Sequence, residues 1–193
     1  MCCEKKDSCV CGIVHEIVRI QDEVAANNNG CCVTGCDQAI RKLLSPIGTN
    51  GNGNGPTTIP FALYCKGDCK PFIGSGVYKS PVGGSGMTAL KCVETPIFRA
   101  KKFVDKDKDR EKDKCCVQLE LLLPVPMGGG APAASVKEKE NGKAKTICDF
   151  FPGDSIRNLQ ATGICLTVDL NCFCGIVCLD PITPISVSEF DRV

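Results

Sequence analysis

Apolar residues along the chain change their period once, near residue 57. Before that point the spacing is helical. Ile13, Ile17, Ile20 and Val24 fall on one stripe, with Glu16, Arg19, Gln21, Asp22 and Glu23 around it. This predicts an amphipathic helix that ends at the turn-forming run Asn27–Gly30. A second short helix is predicted from about Asp37 to Leu44, stopped by Ser45-Pro46, and the Gly/Asn run from Gly48 to Pro56 predicts a loop. From Thr57 onward the period is two. Ile59, Phe61, Leu63 and Cys65 alternate, and Val117, Leu119, Leu121 and Leu123 alternate with Gln118 and Glu120. Ile164, Leu166, Val168, Leu170, Cys172, Cys174 and Ile176 share one parity, opposite Thr167, Asp169 and Asn171. Weaker strand signals cover Phe72–Tyr78, Cys92–Phe103 and Ile147–Phe151, while the Gly-rich stretch Gly74–Gly86 reads as turns. The pattern predicts a mainly β protein: an antiparallel β-sandwich or barrel-like domain of six or seven strands, preceded by a short α-helical N-terminal region. Three regions follow: a polar arm at 1–11, a helical region at 12–46 and a β-rich domain at 57–193. Within the last, the charge run 105–114 and the apolar-poor segment 128–145 read as solvated loops.

Composition narrows the function. With 193 residues the chain is long enough for one ordinary domain, and a net charge of +1 makes no case for nucleic acid or an anionic membrane. Aromatic residues are 5% and Trp is absent, so base stacking is disfavoured too. Cysteine is the outlier, with 17 residues, a density typical of secreted disulfide scaffolds. Yet Glu4, Lys5, Lys6, Asp7, His15, Glu16 and Arg19 interrupt the N-terminal stretch, which does not read as a signal peptide. The expected site of synthesis is a reducing cytoplasm, where stable disulfides are rare. A thiol-rich chain there must bind metal, stay reduced, or change compartment later.

The arrangement of cysteines separates these routes in part. Nucleophilic catalysis needs a base beside the thiol, and the single histidine, His15, lies off the apolar stripe of its helix. Zinc sites usually use paired C-x-x-C knuckles, and this chain has none. Instead there is C-x-C at Cys9/Cys11 and Cys172/Cys174, and C-x3-C at Cys32/Cys36, Cys65/Cys69 and Cys174/Cys178. Cys2/Cys3, Cys31/Cys32 and Cys115/Cys116 are adjacent pairs. Neighbouring cysteines form only strained disulfides with each other, so each member of a pair tends to find a separate partner. An odd total leaves at least one thiol unpaired in a fully oxidised monomer. Cross-linking fits these spacings best, and a zinc or soft-metal binding protein remains the alternative. For Cys172 and Cys174 two readings stand: cross-linking thiols, or small buried hydrophobes on an apolar strand face.

Three motifs are spread in order along most of the chain: GCDQAIRKLLSP (Gly35–Pro46), TIPFALYCKGDCKPFIGSG (Thr58–Gly76) and VDLNCFCGIVCLDP (Val168–Pro181). Together they resemble the CotY/CotZ/ExsY family, cysteine-rich structural proteins of the Bacillus spore crust and exosporium basal layer. The resemblance implies a non-enzymatic, cofactor-free protein that assembles with itself into hexagonal two-dimensional sheets hardened by disulfides. It also implies other coat or exosporium proteins as partners, and no nucleic acid or membrane. Synthesis in the mother-cell cytoplasm, followed by exposure to oxygen on the spore surface, would reconcile the thiols with the compartment. On this reading Cys2, Cys3, Cys9, Cys11, Cys31, Cys32 and Cys36 are interchain disulfide candidates. Cys65, Cys69, Cys92, Cys115, Cys116, Cys148, Cys165, Cys172, Cys174 and Cys178 are core or strand-end candidates.

Overall fold

The computed structural model describes residues 34–44, 55–82, 87–104, 115–127, 146–151 and 156–186. All fall within the unit Thr34–Val193. The predicted arm 1–11, the first amphipathic helix and the segments 105–114 and 128–145 lie outside the described residues.

The helix expected near Asp37–Leu44 is α1, Cys36–Leu44. Asp37 lies in its first turn and Arg41 and Lys42 in its last, charges that suit the two ends of a helix dipole. Its apolar contribution to the interior is small, because Ala39 is buried whereas Ile40 and Leu44 are exposed.

Among the described residues seven strands follow: β1 (Phe61–Cys65), β2 (Gly74–Val82), β3 (Met87–Thr95), β4 (Phe98–Phe103), β5 (Cys116–Pro126), β6 (Ile156–Asp169) and β7 (Phe173–Cys178). Five form one antiparallel sheet in the order β6-β5-β4-β1-β7, and β2 and β3 form a two-stranded antiparallel ribbon. The mainly β, antiparallel architecture is the predicted one. The sheet is barrel-like without closing: among the described residues its edge strands β6 and β7 form no ladder with each other.

Two apolar clusters lie on opposite faces of the sheet. On one face Leu63, Val93, Phe98, Val117, Leu119, Leu121 and Leu123 form a core with Phe72, Ile164, Leu166, Leu170 and Phe173 packed against it. The β5 residues here are the alternating set seen in the sequence. On the other face Ala62, Ile97, Leu122, Leu159 and Ala161 pack with Ile147, Phe151, Leu179 and Ile182. β5 is therefore buried on both faces, which explains why "LELLLPV" loses its alternation after Glu120.

Three local expectations are corrected. The strand signal over Phe72–Tyr78 holds from Gly74 onward, and the turn reading of Gly74–Gly86 gives way over Gly74–Val82, which is β2. Its glycines answer a close approach, since a Cβ on Gly74 would stand 2.6 Å from Phe98 Cε1 and one on Gly76 2.6 Å from Ile164 Cγ2. The single strand expected over Cys92–Phe103 is two, broken at the buried Pro96 and Ile97. There Thr95 Oγ1 donates to the Leu122 carbonyl (2.7 Å) and accepts from the Ile97 N–H (3.1 Å). Ile147–Phe150 is a 3-10 helix, not a strand. Asp149 accepts the Thr146 N–H at 2.7 Å and so closes a capping turn, while Phe150 is fully buried.

One charged group is buried in the sheet. Glu120, 4% exposed, accepts from Arg99 Nε (2.8 Å), Arg99 Nη2 (2.7 Å) and Lys101 Nζ (3.2 Å). It also accepts the Gly163 N–H at 3.0 Å, where the β5–β6 register shifts and Gly163 adopts φ +74°. The left-handed backbone at this bulge suits glycine. Burial pulls the Glu120 pKa up, but the Arg99 hydrogen bond, the Gly163 amide, the Arg99 charge and Lys101 outweigh it. The carboxyl is held below its ordinary value.

Candidate functional site

The chemistry sits where the chain leaves β6 for β7. The sequence suggested one long strand through Ile176, but the strand stops at Asp169. Asp169 Oδ1 accepts the Asn171 N–H at 2.9 Å, and Leu170–Cys172 form a 3-10 turn. β6 pairs with β5, and after this three-residue corner β7 pairs with β1. The corner resets the parity of the side chains. Leu170 and Phe173 take the core positions, and Cys172 and Cys174 are left exposed. Of the two readings of these cysteines, burial as small hydrophobes on an apolar strand face is therefore the one that fails. Counting by twos fails across a turn that consumes three residues.

The same end of the sheet carries the start of β5 and the end of β1. Cys116 pairs with Asp169 across the β5–β6 ladder, and the Cys115 carbonyl accepts the Leu170 N–H at 2.9 Å. Cys65 pairs with Phe173, and the Cys172 carbonyl accepts the Lys66 N–H at 2.8 Å. Cys69 closes the turn after β1, its N–H donating to the Cys65 carbonyl at 2.9 Å. Three motifs far apart in sequence, C-x3-C, C-C and C-F-C, thus converge. Of the nine free cysteines among the described residues, six (Cys65, Cys69, Cys115, Cys116, Cys172 and Cys174) lie on this rim. Cys69, Cys172 and Cys174 are exposed, and the other three partly so.

Within the rim the closest pair is Cys69 and Cys174. The Cys174 thiol donates to the Cys65 carbonyl oxygen at 3.3 Å, and its Sγ lies 3.8 Å from Cys69 Sγ, within hydrogen-bond reach. Some desolvation, then the hydrogen bond and charge of Cys69, push the Cys174 pKa above its ordinary value. Beside it Leu63, Leu170, Phe173, Gly175 and Ile176 line an open apolar groove of about 320 Å³. Among the described residues no three His, Cys, Asp or Glu side chains are placed to hold a metal ion together.

At the other end of β7 the picture differs. Cys36 opens α1 and Cys178 ends β7, and they form a disulfide with a Cα–Cα distance of 4.8 Å. Cys36, grouped from its sequence neighbours with the interchain candidates, is thus bonded inside the chain, because α1 docks against the end of β7. Lys42 Nζ adds an exposed ion pair to Asp180 at 2.7 Å. The remaining free thiols are scattered. Cys92 is on β3, Cys148 on the 3-10 helix and Cys165 on β6, all exposed. Cys2, Cys3, Cys9, Cys11, Cys31 and Cys32 lie outside the described residues.

Sequence reasoning named every cysteine on the rim but not the convergence, since the adjacency of β5, β6, β7 and β1 is a property of sheet order. The one available signal was that each of the three motifs abuts a predicted strand end.

The sequence model of the spore coat protein Z family matches residues 2–181. No curated protein and no solved structure matches the chain.

Proposed function

The chain belongs to the spore coat protein Z family, and from that membership we propose that it is a non-enzymatic building block of the spore surface. It assembles with itself into a two-dimensional hexagonal lattice in the exosporium basal layer or the outer coat, and interchain disulfides harden that lattice. The observation that supports this best is the thiol rim: six free cysteines gathered at one end of a folded domain, none of them fully buried. Thiols arranged this way are positioned to react with another chain.

The lattice needs noncovalent contacts as well. β7 is an edge strand, and its Ile176 and Val177 are 52% and 49% exposed. Among the described residues its outer side carries no strand, and an edge of this kind templates pairing with further chains. A heterologous contact that closes gives a ring, and a second interface propagates it into a sheet. Synthesis in the mother-cell cytoplasm would keep the rim reduced during assembly, and later oxidation would fix the result. Other coat proteins carrying accessible thiols are natural partners in the same chemistry.

The test is expression in a reducing bacterial cytoplasm, followed by electron microscopy of the purified material. Sheets or stacked lamellae are expected, resistant to boiling detergent until a thiol is added. A monomer by sedimentation, at tens of micromolar and under oxidising conditions, would refute the reading. Metal analysis of protein purified without oxidation tests the rival, which requires bound zinc or a soft metal in stoichiometric amount.

A further inference from the structure

Two backbone irregularities meet at one pair of sulfur atoms. The first is at Cys69, which adopts φ +54° and, among the described residues, is the one non-glycine position with a positive φ. A side chain in that region costs ~1 kcal/mol or more, so glycine or asparagine is the usual occupant. The second is at Cys174. Tyr64 pairs with Gly175 and Cys65 with Phe173, so the ladder slips by one residue and Cys174 is the extra residue of a β-bulge. Bulges re-aim side chains, and here the bulge turns a strand cysteine toward the Cys65–Cys69 turn. The result is the 3.8 Å contact between the two sulfurs. The turn is itself held firmly, by Cys69 N–H to Cys65 O (2.9 Å), Cys65 N–H to Lys70 O (2.9 Å) and Lys66 N–H to Cys172 O (2.8 Å).

We propose that Cys69 and Cys174 are a nucleophile and its resolving partner, a built-in dithiol that takes up an incoming disulfide and closes to an intrachain Cys69–Cys174 bond. This goes beyond the cross-linking reading above and holds for a single chain, whether or not a lattice forms. The Cys65 carbonyl oxygen, which can only accept, lies 3.3 Å from Cys174 Sγ and holds that thiol's proton, so Cys69, 3.8 Å away, is assigned the first attack and Cys174 the resolving step. The Cys69 thiolate attacks a disulfide R–S–S–R′; the mixed disulfide Cys69–S–S–R forms and R′S⁻ leaves. The Cys174 thiol gives up its proton to solvent, its thiolate attacks Cys69 Sγ, the Cys69–Cys174 bond forms and RS⁻ leaves. The two leaving thiolates take up through solvent the two protons shed by Cys69 and Cys174. The two cysteines lose two electrons, and the incoming disulfide gains them as two thiols. When R–S–S–R′ is a low-molecular-weight disulfide, the pair protects the rim from being capped one thiol at a time. When it is an interchain cystine, the same steps release that cross-link.

The probe is glutathione. The full-length protein as purified, dispersed or assembled, is equilibrated with oxidised and reduced glutathione at about 0.1 mM, quenched in acid, alkylated and digested with trypsin. The tryptic peptide Gly67–Lys79 contains Cys69 as its one cysteine, so its partner identifies the bond, and tandem fragmentation places the linkage on the other peptide. The expected product joins Cys69 to Cys174, with little glutathione on either. A neighbouring thiol acts at an effective concentration on the order of 1 mM or more, so in Cys174→Ser the glutathionylated Cys69 should rise by about tenfold. Cys69→Ser should raise glutathionylated Cys174 in the same way, and Cys92→Ser, on β3 of the separate ribbon, should change neither. The proposal is overturned if Cys69 carries the same amount of glutathione with and without Cys174. It is equally overturned if Cys69 links to Cys65, Cys172 or another chain in preference to Cys174.

Discussion

Removing the Cys36–Cys178 disulfide tests whether the domain depends on a covalent clasp. The bond joins residues 142 apart. In the chain-entropy view, closing a loop of that length removes entropy from the unfolded chain equivalent to about 5 kcal/mol at 25 °C. The noncovalent attachment of α1 is weak by comparison. One alanine of the helix is buried, and the Lys42–Asp180 pair is exposed, which makes it worth about 0–1 kcal/mol. The double variant Cys36→Ala/Cys178→Ala should therefore do two things. Global stability should fall by roughly 3–5 kcal/mol, the lower figure allowing for entropy that α1 regains when released. The amides of α1 should also lose protection from hydrogen exchange while those of β5 keep theirs, since β5 is buried on both faces. Urea unfolding of parent and variant, with the free thiols alkylated in both, measures the first effect, and exchange mass spectrometry the second. A loss below about 1 kcal/mol, or α1 amides as protected as in the parent, would show that α1 is held by contacts other than the bond and refute the reasoning.

Three further outcomes follow from single sites. Because folding lowers the Glu120 pKa, its stabilising contribution is complete above the unfolded value of about 4.3 and fades as pH falls through the lower folded value. Glu120→Gln should cost about 2 kcal/mol at neutral pH by weakening hydrogen bonds to charged donors, and should flatten the acid limb of stability; an unchanged limb would refute the assignment. Gly74→Ala should lower the urea midpoint by the equivalent of about 1–3 kcal/mol, because Phe98 has no exposed surface into which to retreat. Gly67→Ala, with no heavy atom within 4 Å, is the matched control and should be near neutral. Cys69→Gly should stay within about 1 kcal/mol of the parent, since glycine relieves the positive φ; a loss above about 2 kcal/mol would mean that the side chain supports the fold.

Much of the fold was legible where one periodicity runs unbroken. The spacing across Asp37–Leu44 and the alternation Val117–Leu123 matched α1 and β5 because each is decided by a single buried face. Reading failed where tertiary contacts override local pattern. The glycines at 74 and 76 look like turn residues until Phe98 and Ile164 occupy the space above them. Pro96 and Ile97 carry no mark of a corner apart from the proline, and the corner is completed by Thr95 bonding to Leu122, a residue 27 positions away. At the candidate site the cysteine types were visible, but burial was misjudged at Cys172 and Cys174 because the Asp169–Asn171 hydrogen bond ends the strand early. Grouping Cys65, Cys69, Cys115, Cys116, Cys172 and Cys174 required knowing that β1 and β5 flank the two halves of one bent ribbon.

The clasp at Cys36 also sets how the molecule transmits tension. A pull applied between the chain before Cys36 and the chain after Cys178 runs by its shortest covalent route through one sulfur–sulfur bond. α1 and the seven described strands lie on the slack branch of that circuit, so the force reaches them only through side bonds, among them those that Ile182 and Ile185 make to Thr58, Leu159 and Ala161. While the bond is intact, such a pull finds an inextensible link; once it is reduced, the same pull passes through every strand in turn, and the domain becomes a spring whose release length is the whole enclosed sequence.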